Sequence, residues 1–351
     1  MKKDIFLITG GCGFIGSALI RRLLSDESNT VINIDKLTYA ANISSLGTTK
    51  DKDYIFYKED IVNSNFLKKI LKKHNPDYVI HLAAESHVDR SIDSPEAFIM
   101  TNVLGTYYLL NSSYEYWKSL DENKKNKFKF LLVSTDEVYG SLDDRDDSFT
   151  ESSSYRPNSP YAATKASSDH LARSWNKTYN FPVIITNTSN NYGNWQFPEK
   201  LIPLVISKCL NKEDIPVYGN GQQIRDWIHV DDHVSGILFA LFNGKSGSKY
   251  NIGSNNELSN ISVVKAICGI LDDLKPLDSG CYADLIKFVS DRPGHDTRYA
   301  INSKKMIDLG WRSDISWEEG IKSTIDWYLN NKDFLSSNSA NNHSGKRLGK
   351  I

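Results

Sequence analysis

The chain is poor in sulfur. Its four cysteines, Cys12, Cys209, Cys268 and Cys281, are scattered through 351 residues. No two have the spacing of metal ligands, so no metal site is expected, and a disulfide framework needs a far denser set. Reduced thiols in a cytoplasmic protein are the expectation. Long apolar runs are missing too. Nothing approaches the roughly 18 consecutive apolar residues that read as a membrane-spanning helix. The run beginning at Ile5 stops at Gly10, too short for the core of a secretion signal. Neither sign of charge dominates: 42 Lys and Arg stand against 43 Asp and Glu. That balance removes the bulk electrostatic reason to expect nucleic acid or a membrane surface as partner. The lysine-rich stretch Asp121 to Lys129 is too short for a nucleic-acid groove. No internal repeat is visible.

What is present is the composition of a globular protein, 40% apolar and 24% charged. The length suffices for one large α/β domain or two closely joined ones. Ile5 to Ile8 is a short continuous apolar run, as a strand buried on both faces would be. It runs into Thr9-Gly10-Gly11-Cys12-Gly13-Phe14-Ile15-Gly16, and Ala18, Leu19, Leu23 and Leu24 then repeat at helical spacing. A glycine-rich turn can simply pack. Between a strand and a helix, however, Gly11-x-Gly13-x-x-Gly16 reads as a dinucleotide fingerprint, whose small residues let backbone approach a pyrophosphate at the helix N-terminus. Val31 to Ile34 forms a second strand ending in Asp35, about twenty residues beyond the glycines, where a carboxylate meets a ribose diol. It would repel a 2′-phosphate, so NAD is expected rather than NADP; Lys36 weakens that repulsion slightly.

A third strand, Tyr54 to Phe56, leads to Asp60, which either reaches an adenine amino group or caps the helix before Phe66. Tyr78 to Leu82 is a fourth, ending in Ala83-Ala84-Glu85-Ser86, small enough to leave room for a cofactor. His81, mid-strand, reads as a packed core histidine. A helix from Pro95 to Trp117 has an apolar surface broad enough to bury partly against a second subunit. Phe130 to Val133 is a strand ending in Ser134-Thr135-Asp136-Glu137, a helix begins at Tyr161, and Val183 to Thr186 is a further strand. The alternation then loosens into a loop from Asn187 to Lys200 and mixed short strands and helices, with Asp231-Asp232 capping one of them. Alternating strands and helices imply an α/β fold with a doubly wound parallel sheet over 1–190, to which some later segments return. A smaller mixed α/β substrate-binding domain covers 191–335, and 336–351 reads as a poorly ordered tail.

Tyr161 and Lys165 are four apart at a helix start and share one face. An ammonium beside a phenol favours the phenolate. A tyrosine so tuned can take the proton of a secondary alcohol as its hydride leaves for a nicotinamide. Such pairs are common alone; the upstream fingerprint and the Thr135 hydroxyl at a strand end give this one its meaning.

With these motifs the sequence resembles the extended short-chain dehydrogenase/reductase family, and within it the nucleotide-sugar 4,6-dehydratases. Further stretches carry the likeness: Asp35-Lys36-Leu37-Thr38-Tyr39-Ala40, Leu82 to Ser91, Ser134 to Gly140, Ser189-Asn190-Asn191-Tyr192-Gly193, Phe197 to Pro203, Arg225-Asp226-Trp227 and Asp291 to Asp296. The resemblance implies a Rossmann-like fold. It implies NAD held by Gly10, Gly13, Phe14, Ile15, Gly16, Asp35, Lys36, Thr38, Asp60, Ile61, Leu82, Ala83, Ala84, Ser86, Thr101, Tyr161, Lys165 and Asn191. The implied reaction oxidises a hexose at C4, eliminates water across C5 and C6, and returns the hydride to C6. Thr135 would position the C4 oxygen, Asp136 protonate the departing hydroxyl and Glu137 remove the C5 proton. Two adjacent carboxyls with opposite proton roles need different affinities for the proton, and their repulsion helps hold one protonated. Arg225 and Arg292 would clamp a diphosphate. Ser86, Asn190, Lys200, Leu201, Pro216, Tyr218, Asn260 and His295 would complete the nucleotide-sugar pocket. The expected substrate is a nucleoside-diphosphate glucose, dTDP-glucose ahead of UDP-glucose, and His229, near the nucleotide side, leaves the base less secure. A 4-epimerase or decarboxylase on the same fold is the alternative, and Asp136 discriminates, because those relatives usually lack Asp before this Glu. An inactive NAD-binding protein is a third reading, opposed by the intact catalytic set. The resemblance further implies a homodimer through a four-helix bundle built by the helices around Tyr107 and Ala166.

Overall fold

The computed structural model describes residues 3–47, 53–143 and 145–339. Strands β1 (Asp4–Thr9), β2 (Asn29–Asp35), β3 (Tyr54–Lys58), β4 (Tyr78–His81), β5 (Lys129–Thr135) and β6 (Val183–Thr188) alternate with helices. The second half adds β7 (Asn190–Tyr192), β8 (Ile215–Tyr218), β9 (Ile224–His229), β10 (Lys249–Ile252), β11 (Glu257–Ser259) and β12 (Ile286–Val289). Seven strands form one parallel sheet in the order β3-β2-β1-β4-β5-β6-β10. This is the doubly wound sheet that the sequence predicts.

The continuous apolar runs have a direct cause. Successive side chains on a strand point to opposite faces, and helices cover both. Phe6, Ile8, Ile80, Leu131 and Val133 join one core, with Leu19 and Ile20 of the helix Phe14–Leu24. Leu7, Val79, Phe130 and Leu132 join the other, with Leu67 and Ile70 of Ser64–His74 and Leu109 and Leu110 of Thr106–Lys118. Each such aliphatic side chain removed from water contributes about 1.5–3 kcal/mol. Chain order reverses between β1 and β4, so a crevice opens at their carboxyl ends.

The second half crosses back over position 190. Strand β10 extends the large sheet, and Val230, Val234 and Ile237 of the helix Val230–Asn243 pack into the first core. The remainder forms a smaller mixed layer. Strand β9 pairs antiparallel with β11 and parallel with β7, while β12 pairs with β8. The helices Leu201–Asn211, Asn260–Leu274 and Trp317–Asn330 share a separate core there.

Several local expectations are corrected. The helix expected from Pro95 to Trp117 is broken into Pro95–Phe98, a π-helical Ile99–Gly105 and Thr106–Lys118. A wider turn leaves the apolar period nearly intact, so spacing alone does not show it. The stretch expected as loop after Asn187 contains β7, which exists through its pairing to β9. The charged connection includes the helix Glu122–Lys127, capped by Asp121. The helix Ser64–His74 is capped by Asn63, whose Oδ1 accepts the Phe66 N–H at 3.1 Å, so Asp60 is not the cap. The helix Val230–Asn243 is capped by His229 rather than by Asp231 or Asp232; the Asp232 carboxylate accepts the N–H groups of Asp314 and Ile315. A last helix, Lys332–Ser339, enters the stretch expected as tail, while 340–351 lie outside the described residues. No helix among the described residues is long and apolar enough to cross a membrane, and none of them form a metal-ligating cluster.

Candidate active site

The crevice begins where β1 ends. Gly10 has φ +74°, and a Cβ there would stand 2.6 Å from the Ala83 backbone nitrogen. The turns after β1 and β4 therefore meet backbone to backbone, which only glycine permits. The helix Phe14–Leu24 starts from Gly13 with no side chain capping it. Its first N–H groups are left for a ligand, and the N-terminus favours an anion. A Cβ at Gly16 would collide with the Gly10 carbonyl oxygen. At the end of β2 the buried Asp35 accepts the Cys12 N–H at 2.9 Å on Oδ2 and the Leu37 N–H at 2.8 Å on Oδ1. Each oxygen keeps a lone pair for a hydroxyl. Lys36 Nζ donates to Thr101 Oγ1 at 2.9 Å and lies 3.7 Å from Asp60 and 3.5 Å from Glu85, so two carboxylates offset its charge. A glycine cradle at a bare helix N-terminus with a carboxylate at the next strand end fits an adenine dinucleotide. Every residue expected for the cofactor lines this one cleft. Glu59, Gln196, Phe197 and Glu199 line it as well, without having been expected.

The catalytic stretch sits where β5 stops. Thr135 caps a 3₁₀ turn over Asp136–Tyr139, its Oγ1 accepting the Glu137 N–H at 3.3 Å. The same hydroxyl donates to Asp136 Oδ1 at 3.2 Å. Asp136 is 2% exposed, and its Oδ2 has no hydrogen-bond partner among the described residues. Burial, then the charges of Glu137 and Asp226, push its proton affinity well above the ordinary carboxylate range. Glu137 borders both compartments of the cleft. Burial raises its pKa too, but Arg292, Arg225 and Lys200 all oppose the rise. The environment thus treats two adjacent carboxyls differently: Asp136 is pushed toward its protonated form by burial and two carboxylates, while Glu137 faces three cations.

The helix Pro160–Tyr179 brings in the other pair. Ser159 caps it by accepting the Ala162 N–H at 3.1 Å, and Pro160 occupies its first turn. Asn102, in the π-helical turn, donates to Thr164 Oγ1 at 3.0 Å, and its carbonyl accepts the Ser168 hydroxyl at 2.6 Å. These bonds fix the helix's rotation over the sheet. Tyr161 and Lys165 both face the cleft. Lys165 Nζ donates to the Val133 carbonyl at 2.8 Å, and burial pushes its pKa down to about 8. The expected lowering of the tyrosine is not realised: burial, Glu137 and Asp136 push the Tyr161 phenol up, against the Thr135 hydroxyl. Three carboxyls, Asp169 the weakest of them, and the loss of water outweigh one ammonium already bonded to a carbonyl. His81 is the packed residue expected, between Thr9 Oγ1 at 2.7 Å and Thr106 Oγ1 at 2.9 Å, and burial lowers its pKa to about 3.

Beyond Glu137 the cleft widens into a second compartment. Ser86, Asn190, Lys200, Leu201, Pro216, Tyr218, Arg225, Asn260, Arg292 and His295 all line it. Arg292 Nη1 donates to Asp89 Oδ1 at 3.1 Å, and the Tyr218 hydroxyl donates to Asp89 Oδ2 at 3.1 Å. The buried Nε of Arg292 has no partner among the described residues. Arg225 lies 4.1 Å over the Tyr299 ring and gives N–H groups to the carbonyls of Ile224 and Asp296. His295 is bonded to Asp291 at 2.6 Å, yet burial and Arg292 lower its pKa to about 4. The expectation for His229 fails. It lines neither compartment; its ring packs edge-on against Tyr192 at 5.3 Å and accepts the Asp231 N–H.

Asp89, Tyr299 and Glu199 escaped the sequence reading. Glu199 accepts the Tyr39 hydroxyl at 3.1 Å and the Arg90 Nε–H at 3.2 Å, with Arg90 4.0 Å over the Tyr39 ring. This clasp joins the loop after β2 to the loop before Leu201. The signal for it lay in the Phe197-Pro198-Glu199-Lys200 stretch, but nothing local names the partners.

The parallel sheet, the glycine cradle and the Tyr161–Lys165 pair define an extended short-chain dehydrogenase/reductase. More narrowly, the family model described as GDP-mannose 4,6 dehydratase matches residues 7–324, and the chain belongs to that family. The dTDP-glucose 4,6-dehydratase of Haemophilus influenzae is 52% identical over 330 residues, covering 93% of this chain and 98% of that protein. dTDP-glucose 4,6-dehydratase 1 of Escherichia coli K12 is 50% identical over 339 residues, 94% of each chain. Among solved structures, the dTDP-glucose 4,6-dehydratase DesIV of Streptomyces venezuelae, crystallised with NAD bound, matches with a TM-score of 0.86 at 40% identity. That match covers 95% of this chain and 99% of DesIV.

Proposed function

We propose that this chain carries out the NAD-dependent dehydration of dTDP-glucose to the 4-keto-6-deoxy sugar. The observation that carries the reading is the placement of the adjacent carboxyls Asp136 and Glu137 beside Tyr161 and Lys165 in one cleft, with Glu137 bordering the compartment that holds Arg225, Arg292 and Lys200. The large sheet serves the cofactor and the smaller layer the nucleotide sugar. Gly10, Gly13, Gly16 and the helix N-terminus would hold the pyrophosphate of NAD, and Asp35 a ribose. NAD bound there would supply the hydride acceptor for C4, the hydride donor for C6 and a ring cation, a charge that favours a phenolate such as that of Tyr161. Tyr161, helped by Lys165 and Thr135, takes the C4 hydroxyl proton. The new ketone acidifies the C5 proton, which Glu137 removes. Asp136 gives its proton to the C6 hydroxyl, which leaves as water. Glu137 then returns a proton to C5. The proton gained by Tyr161 matches the one lost by Asp136, so the cycle closes without net proton change. Arg225, Arg292 and Lys200 hold the diphosphate.

Product analysis tests the reading. A panel of dTDP-, UDP- and GDP-glucose, with NAD well below substrate, is expected to give the 4-keto-6-deoxy product from dTDP-glucose. Recovery of a C4 epimer instead, or turnover confined to UDP-glucose, overturns it.

The same reading includes a cytoplasmic homodimer. The cysteines are free thiols, as that compartment keeps them. The helices Thr106–Lys118 and Pro160–Tyr179 pack side by side, and Ile99, Met100, Tyr107 and Tyr179 remain exposed on and beside them. Two such pairs would build a four-helix bundle that buries these side chains. Sedimentation at micromolar concentration is expected to show a dimer; a monomer refutes the bundle.

A further inference from the structure

The face of Pro160–Tyr179 that carries Tyr161 and Lys165 carries a third ionisable group one turn further on, Asp169. It is 2% exposed. A carboxyl so placed is costly unless it is bonded. The Tyr155 hydroxyl donates to its Oδ2 at 2.7 Å, and Asn187 Nδ2 donates to the same oxygen at 3.1 Å. That amide also donates to the Thr135 carbonyl at 3.1 Å, so Asp169 is tied to the backbone that presents Asp136. Its other oxygen has no hydrogen-bond partner among the described residues.

Lys165 needs such a neighbour. Its ammonium is buried, and its acceptor, the Val133 carbonyl, is neutral. Around the pair stand His81 from β4, Asp136, Glu137 and Tyr139 from the turn after β5, Tyr155 from the following loop, Tyr161, and Lys249 of β10, whose ammonium lies 4.3 Å over the Tyr155 ring. His81 is held neutral, partly by Lys165 itself. Glu137, Asp136 and, more weakly, Asp169 itself all favour the neutral Tyr161 phenol. Asp169 is the charge that favours protonated Lys165, and Lys165 in turn favours ionised Asp169 against its burial.

We propose that Asp169 is a positioning residue: its carboxylate, fixed by Tyr155 and Asn187, keeps the Lys165 ammonium charged and seated against Val133, where Tyr161 needs it. The inference rests on the assignment of Tyr161 and Lys165 as the proton-handling pair. It gives a buried carboxylate outside the reacting groups a purpose that packing does not supply, since an apolar side chain would fill the same space at less cost.

The test is the pH profile of kcat with dTDP-glucose. In Asp169→Asn the shape is kept and the charge is gone. kcat is expected to fall about tenfold to a hundredfold, with KM little changed. The alkaline edge is expected to move to lower pH, because an ammonium without its anion loses its proton more readily. Asp169→Glu should restore most of the rate and the edge. An Asp169→Asn enzyme whose alkaline edge stays in place overturns the proposal, whatever its rate. Should that variant not accumulate in folded form, Tyr155→Phe carries the test. It removes the shortest bond to the carboxylate, so the edge should move the same way by less, and an unmoved edge overturns the proposal. Lys165→Met separates the two levels: wild-type turnover there would sink the proton-handling assignment itself.

Discussion

Replacing Glu137 by Gln is expected to lower kcat by about a thousandfold and to stop exchange of the C5 hydrogen with solvent deuterium. Glutamine keeps the size and hydrogen-bonding shape of the side chain but cannot accept the C5 proton. Oxidation at C4 does not need Glu137, because that proton goes to Tyr161. It should even become easier: after burial, the Glu137 charge is the largest influence holding the Tyr161 phenol protonated. The variant is therefore expected to accumulate the 4-keto hexose with its C6 hydroxyl intact, together with reduced nicotinamide. Rapid quenching with NMR of the sugar, and the near-ultraviolet absorbance of the cofactor, read both. The pH profile carries a second signature. A base works above its pKa, so activity falls as pH drops through the value for Glu137. Burial places that value above the ordinary glutamate range, with Arg292, Arg225 and Lys200 limiting the rise. The acid edge assigned to Glu137 should vanish in the variant. Continued C5 exchange at the wild-type rate would place the base elsewhere.

How much of this was legible in the sequence follows from how local each feature is. The cradle was readable because strand, glycines and helix are contiguous, and Gly10 meets a fixed steric demand. Asp35 was readable because a βαβ unit sets its distance from the glycines. Tyr161 and Lys165 share a helix face by spacing alone. The proton affinities were not readable. They depend on which charges converge from distant segments, and so the expected lowering of Tyr161 reversed once Glu137 and Asp136 were placed beside it. The Asp89–Arg292 pair is 203 residues apart and the Tyr39–Glu199 bond 160, and neither leaves a local pattern. Asp60 reads as a possible cap, but the helix begins only at Ser64, and Asn63 beside it accepts the Phe66 N–H. His229 looked like a substitution beside the nucleotide because motif order was read as proximity. In three dimensions it ends β9 and caps the helix that follows, its ring packed against Tyr192.

Asp136→Asn is expected to give the opposite failure from Glu137→Gln, together with a gain in stability. The carboxamide can donate a hydrogen bond to the C6 hydroxyl but cannot deliver a proton, so elimination should slow about a hundredfold. C4 oxidation by Tyr161 and C5 proton removal by Glu137 stay in place. In deuterated water the recovered dTDP-glucose should therefore carry deuterium at C5 while little 6-deoxy product forms, a pattern that Glu137→Gln cannot produce. Equal loss of oxidation and elimination would count against the acid assignment. The stability gain follows from the same burial that makes Asp136 an acid. Its ordinary pKa is 3.8, and burial, Glu137 and Asp226 raise it well above that in the folded chain. A group whose pKa is raised on folding stabilises most below its unfolded value and loses that contribution as pH rises through its folded value. Over that window the native enzyme works against holding an ionisable carboxyl with one unpaired oxygen in a dry site. Asparagine never ionises and escapes the loss. Thermal melts should therefore show the variant above the native enzyme, with the gap widening as pH rises from the ordinary value of 3.8 toward the raised value of the folded chain. A constant gap would trace the difference to hydrogen bonding; a widening one ties it to the proton that Asp136 must hold for the C6 hydroxyl to leave, and marks the stability given up for that chemistry.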